Sequence, residues 1–557
     1  GGSSKPLAGN VQGPRCDSPW KHFEQMGGES ACRYVKRRCR QRGGLFNYLT
    51  LPYCSLPSLP YVAVVMLLAW VSMLFIWMSN SANAFLCPAI LVIADITKMS
   101  EDVAGVTLLA LGNGAGDVAS VVAATVAAKN GSQMAVGEIL GSSLFTSCAI
   151  MGLVTISTSM AMAPQGLIRD LCFLLGSVLW LAVVLFDNYI SWQEAFGFVL
   201  LYAAYLFFVL NNHFAQVARG KGAGPDGLRK VPAKFVMPLT PVPEEGASSM
   251  AGGGEKAAPL EQQGLWEYLV PLGDMGSRTS QREKLYKGLE VPSTVVLRLS
   301  CPHVHRHPES MGWNRTAMLC QLFFAPSVWT WAVLVHGFPA LSPAAAHLAV
   351  ASALVAGAML AVSVHLTSSR DHPPTYYHQL SLLSFVTSMA WIYILAVEAV
   401  HALQAVGRVL EVSDGFLGIT VLSAANSVGD LVANMAIARA GMQAMCVSAC
   451  IGSPIFIILF GGGVASLLGN FLVASPYPLE LNLEIYVAGV FLLFTVVATL
   501  VYLVINNMQA GRNLGVMLVL IYGAFICSVV GMEMFGGAAM VQEEMSELRG
   551  DLRAIRA

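Results

Sequence analysis

Charged residues are scarce in this chain. Asp, Glu, Lys and Arg together make up 12% of its 557 residues, against about 25% in a soluble domain. That shortage excludes a single water-exposed globular domain. Recognisable metal-ligand spacing is missing as well. The tract "CPHVHRHP" (301–308) brings His303, His305 and His307 together but matches no firm zinc pattern, and it reads as a solvated loop. Most of the 12 cysteines stand singly in apolar runs, where a thiol is a small buried hydrophobe. The net charge of −1 says little about partners once the charges are divided between two faces of a bilayer, and no nucleic-acid partner is expected.

Apolar sequence is what the chain has in quantity. Hydrophobic residues reach 55% and fall in runs of roughly 18 to 25, each near the ~20 needed to cross a bilayer as a helix. Spans are expected near 61–80, 103–127, 134–158, 168–186 and 189–210, and then near 317–337, 344–365, 380–404, 415–438, 443–469, 484–506 and 513–534. The stretch "FLCPAILVIADI" (85–96) is too short to cross and reads as interfacial. The expected fold class is an all-α polytopic membrane protein with about twelve transmembrane helices.

The expected division is an extramembrane, Cys-containing segment (1–58), a first membrane half (59–211), a hydrophilic loop (212–316), a second membrane half (317–536) and a tail (537–557). Gly, Ala and Pro in "RGKGAGPDG" and "SSMAGGGEKAAP" mark the first part of the loop as linker. Its later part, "KLYKGLEVPSTVVLRL", regains apolar spacing; it either lies on the membrane or forms a small packed helix. The chain opens on Gly without a secretory signal, so a processed or incomplete N-terminus is expected. Cys16, Cys32, Cys39 and Cys54 cluster before the first span and suggest one or two disulfides in an oxidising compartment. Lys and Arg after the fifth span favour the cytosolic or matrix side for the loop, whereas the basic run "CRYVKRRCRQR" (32–42) argues the other way for the N-terminus.

The most informative feature is an internal repeat. "VAGVTLLALGNGAGDVASVVAA" (103–124) aligns without a gap on "FLGITVLSAANSVGDLVANMAI" (416–437), matching Asn113 to Asn426 and Asp117 to Asp430. In the following spans, "ILGSSLF" (139–145) aligns on "CIGSPIF" (450–456). The two aspartate-bearing spans are second and ninth, so an odd number of crossings separates them and the copies are inverted, as in secondary transporters. A carboxylate in hydrocarbon costs a few kcal/mol or more. Asn and Asp at i and i+4 share a helical face, and glycines at 112, 114, 116 and 429 are expected to let the helices bend or unwind. Two carboxylates with amide, hydroxyl and carbonyl oxygens suit calcium better than zinc.

At these residues the chain resembles the calcium/cation antiporter superfamily, and within it the branch of the mitochondrial sodium/calcium/lithium exchanger and the plant cation/calcium exchangers. "GNGAGDVAS" and "NSVGDLVANMAIARAGMQAMCVSACIG" carry the resemblance as two alpha repeats (103–158 and 415–469). It extends to "AFLCPAILVIADITKMSEDVAGVT", "MPLTPVPEE" and "HPPTYYHQLSLLSFVTSMAWIYILAVEAV". The resemblance implies exchange of calcium for sodium, with lithium, potassium or protons as further candidates, by alternating access and without a cofactor. It points to Asn113, Asp117, Asn426, Ser427 and Asp430 as ion ligands. This sequence departs from the family pattern at Gly116 (usually Pro), Ala425 (Gly), Asn434 (often an acid) and Ile457 (Asn), which bears on ion choice and coupling ratio.

Ser142, Ser143 and Ser453 are candidate hydroxyl ligands, or serines that merely bond the carbonyl one turn back. Glu138 reads as an interfacial charge, and Glu398 as a gating or helix-pairing residue. Two rival functions are weighed. "GAGD" (114–117) fits the G-x-G-D motif of intramembrane aspartyl proteases, but the Tyr-Asp partner and the Pro-Ala-Leu of that class are missing. An ion sensor without transport would need the same ligands. The expected setting is a lipid bilayer, whether of the inner mitochondrial membrane, the plasma membrane or an endomembrane.

Overall fold

A computed structural model describes residues 32–36, 45–86, 110–127, 131–157, 160–161, 164–218, 281–304, 313–337, 343–369, 372–410, 412–439, 443–473, 475–479, 481–507 and 509–535, with isolated positions between 88 and 96 and at 269. Within the stretch read as interfacial, positions 87, 90, 91, 94 and 95 lie outside the described residues, as do the histidines at 305 and 307.

Five long helices build the first half: α1 (Pro60–Ser81), α2 (Ala110–Ala127), α3 (Gly131–Leu144), α4 (Pro164–Val184) and α5 (Trp192–Ala218). A sixth, α6 (Gln281–Ser300), comes from the central loop. The second half contains α7 (Arg315–Gly337), α8 (Pro343–Thr367), α9 (Ser381–Leu410), α10 (Ser423–Arg439), α11 (Gln443–Ile455), α12 (Leu483–Ile505) and α13 (Arg512–Phe535). All twelve expected spans thus coincide with helices, and among the described residues nine stretches are long and apolar enough to cross a membrane. The protein is an all-α polytopic membrane protein.

Short strand pairs test the order of crossings. β1 (Met160–Ala161), between α3 and α4, pairs antiparallel with β4 (Gln509–Ala510), between α12 and α13. β2 (Tyr189–Ile190), after α4, pairs with β3 (Tyr477–Pro478), before α12. If every helix but α6 crosses, each pair joins two loops on the same face. An insertion or deletion of one crossing between paired loops would put them on opposite faces.

The helix from the central loop packs against α1 and α7. Asn80 Nδ2 donates to Ser293 Oγ and to Thr294 Oγ1, each at 2.9 Å, and Gln321 Nε2 donates to the Arg298 carbonyl at 2.9 Å. Before α1, the N-terminal segment is closed by a Cys32–Cys54 disulfide, one of the bridges expected from the cysteine cluster. Glu398 of α9 accepts from the Leu45 N–H at 2.5 Å and from Tyr48 Oη at 2.6 Å. It anchors this segment to α9.

Both second helices of the repeats widen at the same place. α3 continues through a π-helical stretch at Phe145–Ile150 into Met151–Ser157, and α11 through one at Phe456–Gly461 into Gly462–Leu472. Phe145 and Phe456 are equivalent in the repeat alignment, so the structural repeat reproduces the sequence repeat. Packing is reciprocal: α2 lies against the Phe456–Gly461 turn, and α10 against the Phe145–Ile150 turn. Inverted copies related by a pseudo-two-fold axis would pack in this reciprocal way.

Candidate ion-binding site

The site lies where α2 and α3 meet α10 and α11. Two glycines permit the approach. A Cβ on Gly114 of α2 would sit 2.7 Å from the Phe456 ring, and one on Gly141 of α3 would collide with the Ile419 carbonyl. This corrects the expectation that the glycines around Asp117 unwind the helix. α2 is continuous from Ala110 to Ala127, and Gly114 serves close packing, the use small residues have between membrane helices. The distortions lie elsewhere, in the two π-helical turns and in a third at Gly418–Leu422, where shifted hydrogen bonding can free carbonyl oxygens.

Asp117 is buried on α2, 1% exposed, and neither carboxylate oxygen has a hydrogen-bond partner. It interacts with Ser142 and Glu138 of α3. Asp430 of α10 is also buried; its Oδ2 lacks a partner, and it feels the charge of Asp117 across the repeat boundary. Asn426, one turn earlier, donates from Nδ2 to Glu138 Oε1 at 2.6 Å and to Ser120 Oγ at 2.8 Å, which leaves its Oδ1 unpartnered. Ser427 meets Ser142 hydroxyl to hydroxyl at 3.1 Å. Ser453 Oγ is buried and unpartnered, whereas Ser143 donates to the Ile139 carbonyl at 2.6 Å, the back-bonded alternative. Asn113 lies within α2, one turn before Asp117, but its side chain falls outside the described residues.

Glu138 was the residue sequence reasoning misplaced. Rather than an interfacial charge, it is fully buried beside Asp117 and bonded to Asn426. A signal was available: Glu138 precedes Ser142 by four residues, so the two share a helical face. Ser120 was missed for a different reason. It is one of many small residues on α2, and only the packed Asn426 distinguishes it.

Buried carboxylates without donors are costly by several kcal/mol each, and a cation is the natural compensation. Among the described residues no three His, Cys, Asp or Glu side chains gather closely enough to hold a metal ion. Neutral oxygens must therefore complete any shell, in keeping with the six to eight oxygens calcium takes. Asn426 Oδ1, Asn434 Oδ1, Ser453 Oγ, Thr146 Oγ1 and Ser147 Oγ are buried on these helices without partners.

Known proteins resemble this chain over most of its length. The chain is 30% identical over 526 residues to the mitochondrial sodium/calcium exchanger protein of Gallus gallus, covering 89% of this chain and 87% of that protein. It is 28% identical to cation/calcium exchanger 5 of Arabidopsis thaliana, again covering 89% and 87%. A structure of the sodium-calcium exchanger NCX_Mj, soaked with 10 mM Na+ and 10 mM Sr2+, matches 83% of this chain and 98% of its own at 15% identity, with a TM-score of 0.41. The family described as sodium/calcium exchanger protein matches residues 66–211 and 380–531, so each match contains one repeat hairpin. These relatives are transporters, which removes the protease reading. With more than half of its length matched, the chain belongs to the sodium/calcium exchanger protein family.

Proposed function

We propose that this protein is a secondary active antiporter that exchanges calcium for sodium or another monovalent cation by alternating access, the ions binding between the two repeats. Asp117 and Asp430 would supply charge; Asn113, Asn426, Ser427, Ser142 and Ser453 would supply neutral oxygens, with Ser143 the weakest candidate because its proton is committed to Ile139. One observation carries the reading. Two copies of one motif pack reciprocally, and their buried aspartates come close enough to feel each other's charge.

Exchange follows from electrostatics. Calcium and monovalent cations compensate the same carboxylates, so they compete for one place. An empty site leaves charge uncompensated in a low-dielectric interior, so the conformational change is favoured only with ions aboard. The repeat pair has two related arrangements, and rocking between them would open the site to either face. The Cys32–Cys54 bridge supports an oxidising compartment on the N-terminal side, and five crossings would then put the central loop on the opposite face.

The test is flux in liposomes containing the purified protein. Calcium uptake driven by an outward sodium, lithium, potassium or proton gradient is expected for at least one of these ions. Calcium binding without gradient-driven flux would instead identify an ion sensor and refute the antiporter.

A further inference from the structure

We propose that Tyr48 is a positioning residue for ion exchange: from the N-terminal segment it clasps α1 to α9 beside the aspartate helices, and so sets turnover rather than ion affinity. The proposal rests on the antiporter reading above. Tyr48 is buried between the two spans. Its hydroxyl accepts from Trp70 Nε1 of α1 at 3.0 Å and donates to Glu398 Oε2 of α9 at 2.6 Å. One hydroxyl thus joins two membrane helices. The other Glu398 oxygen accepts from the Leu45 N–H at 2.5 Å, so the carboxylate grips the segment twice. The Cys32–Cys54 disulfide closes the chain around this stretch and limits how far it can peel away.

The place of the clasp gives it a role beyond anchoring. α9 packs along α2, the helix of Asp117, and α1 packs against α9 and against α10, the helix of Asp430. A Cβ on Gly116, next to Asp117, would lie 4.0 Å from Met78 of α1. The α1–α9 pair therefore borders both halves of the site, and a rearrangement that opens the site has to move against it. At its other end the pair is bridged by α6. Trp77 Nε1 of α1 donates to the Leu289 carbonyl at 2.8 Å, and Trp391 Nε1 of α9 donates to Ser300 Oγ at 2.9 Å. With one fastening the free ends could splay; with both, α1 and α9 stay in register. Val35, Leu49 and Tyr53 already bury apolar surface, so anchoring alone does not call for a carboxylate within a span. A carboxylate offers several acceptor positions and bonds a hydroxyl strongly, so it keeps its donors while helices change angle.

The test is gradient-driven calcium uptake into liposomes containing purified parent, Tyr48→Phe, Trp70→Phe, Glu398→Gln or Glu398→Ala protein. Tyr48→Phe and Trp70→Phe each break the link from α1 to α9. Both should lower turnover about fivefold, the factor one hydrogen bond is worth, with calcium KM and calcium binding unchanged. Glu398→Ala should do the same, whereas Glu398→Gln, whose amide still offers partners to Tyr48 and Leu45, should stay within about twofold of the parent. Parent-like turnover in Tyr48→Phe would overturn the proposal. So would a loss that merely follows the folded fraction in melting measurements, or a raised KM in place of slower turnover. If Tyr48→Phe does not fold, the two glutamate variants decide, and equal turnover in them overturns the proposal. A parent without flux under any gradient refutes the antiporter reading itself; a fluxing parent with an unaffected Tyr48→Phe refutes only the clasp.

Discussion

The two repeats share a scaffold and differ in what they place on it. Both pair a helix carrying Asn-x-x-x-Asp with a second helix that widens at an aligned phenylalanine, Phe145 or Phe456. The first repeat adds Glu138 and Ser120, where the second has Ala449 and Ala433. Asn426 of the second reaches across to the first, with hydrogen bonds to both of those extra groups. Duplication thus accounts for the shared scaffold and for the pair of aspartates, while Glu138 and Ser120 are departures from symmetry. Ion transport through a shared midplane site requires only approximate symmetry, because the two conformations need comparable, not identical, ligand sets.

The comparison breaks most sharply at the aspartates. Asp117→Asn or Asp430→Asn should reduce calcium exchange by about a hundredfold or more, some 2.7 kcal/mol, because each removes half of the shared charge. Stability should not fall, since a neutral amide is cheaper to bury than an unpartnered carboxylate. Flux and melting temperature measured on both variants check this. If either keeps full exchange, or both unfold, the repeats do not contribute equivalent halves.

Next in size is the asymmetry of the asparagines. Asn426→Ala should lower exchange by about tenfold, because Asn426 links Glu138 and Ser120 as well as presenting Oδ1. Asn113→Ala should cost less, since the second-repeat positions equivalent to Ser120 and Glu138 are Ala433 and Ala449. Equal losses in a flux assay would show that the cross-repeat hydrogen bonds do not matter.

Packing provides a third test, read in stability. Gly141→Ala should destabilise the protein by about 1–3 kcal/mol through overpacking, because the new methyl would meet the Ile419 carbonyl. Gly176→Ala, with nothing within 4 Å of its added Cβ, should leave the melting temperature nearly unchanged. Similar shifts for the two would mean that α3 does not closely approach the second repeat.

Smaller still is the effect of returning an acid to the second repeat. Asn434 is fully buried and donates to the Asp430 carbonyl at 2.8 Å, with Oδ1 unpartnered. Asn434→Asp should change the preference among sodium, potassium and lithium by roughly threefold, about 0.7 kcal/mol, while calcium transport remains measurable. Unchanged selectivity in gradient-driven uptake would place this residue off the ion pathway. The least effect on transport is expected from Glu398→Gln, within about twofold, because Glu398 holds the N-terminal segment rather than an ion. Faster amide hydrogen exchange at Leu45 should accompany it.

By itself the sequence determined the class, the positions of the twelve helices and the repeat. These are consequences of local composition: a bilayer imposes one length and one polarity on every crossing, and a repeated motif is visible without knowing what it touches. Asp117 and Asp430 were legible for the same reason, as carboxylates where hydrocarbon is expected. The tertiary structure alone decided which polar groups meet. Glu138 read as interfacial because it stands near the start of an apolar run, and only the packing of α3 against α10 brings it to Asn426. Glu398 looked functional because it is charged within a span, yet its partners come from residues 45–48, some 350 positions away. Gly114 suggested flexible backbone until the Phe456 ring filled the space beside it. Burial cost is a property of one residue and its solvent, so sequence reveals it; compensation depends on two residues distant in the chain, and folding has to bring them together.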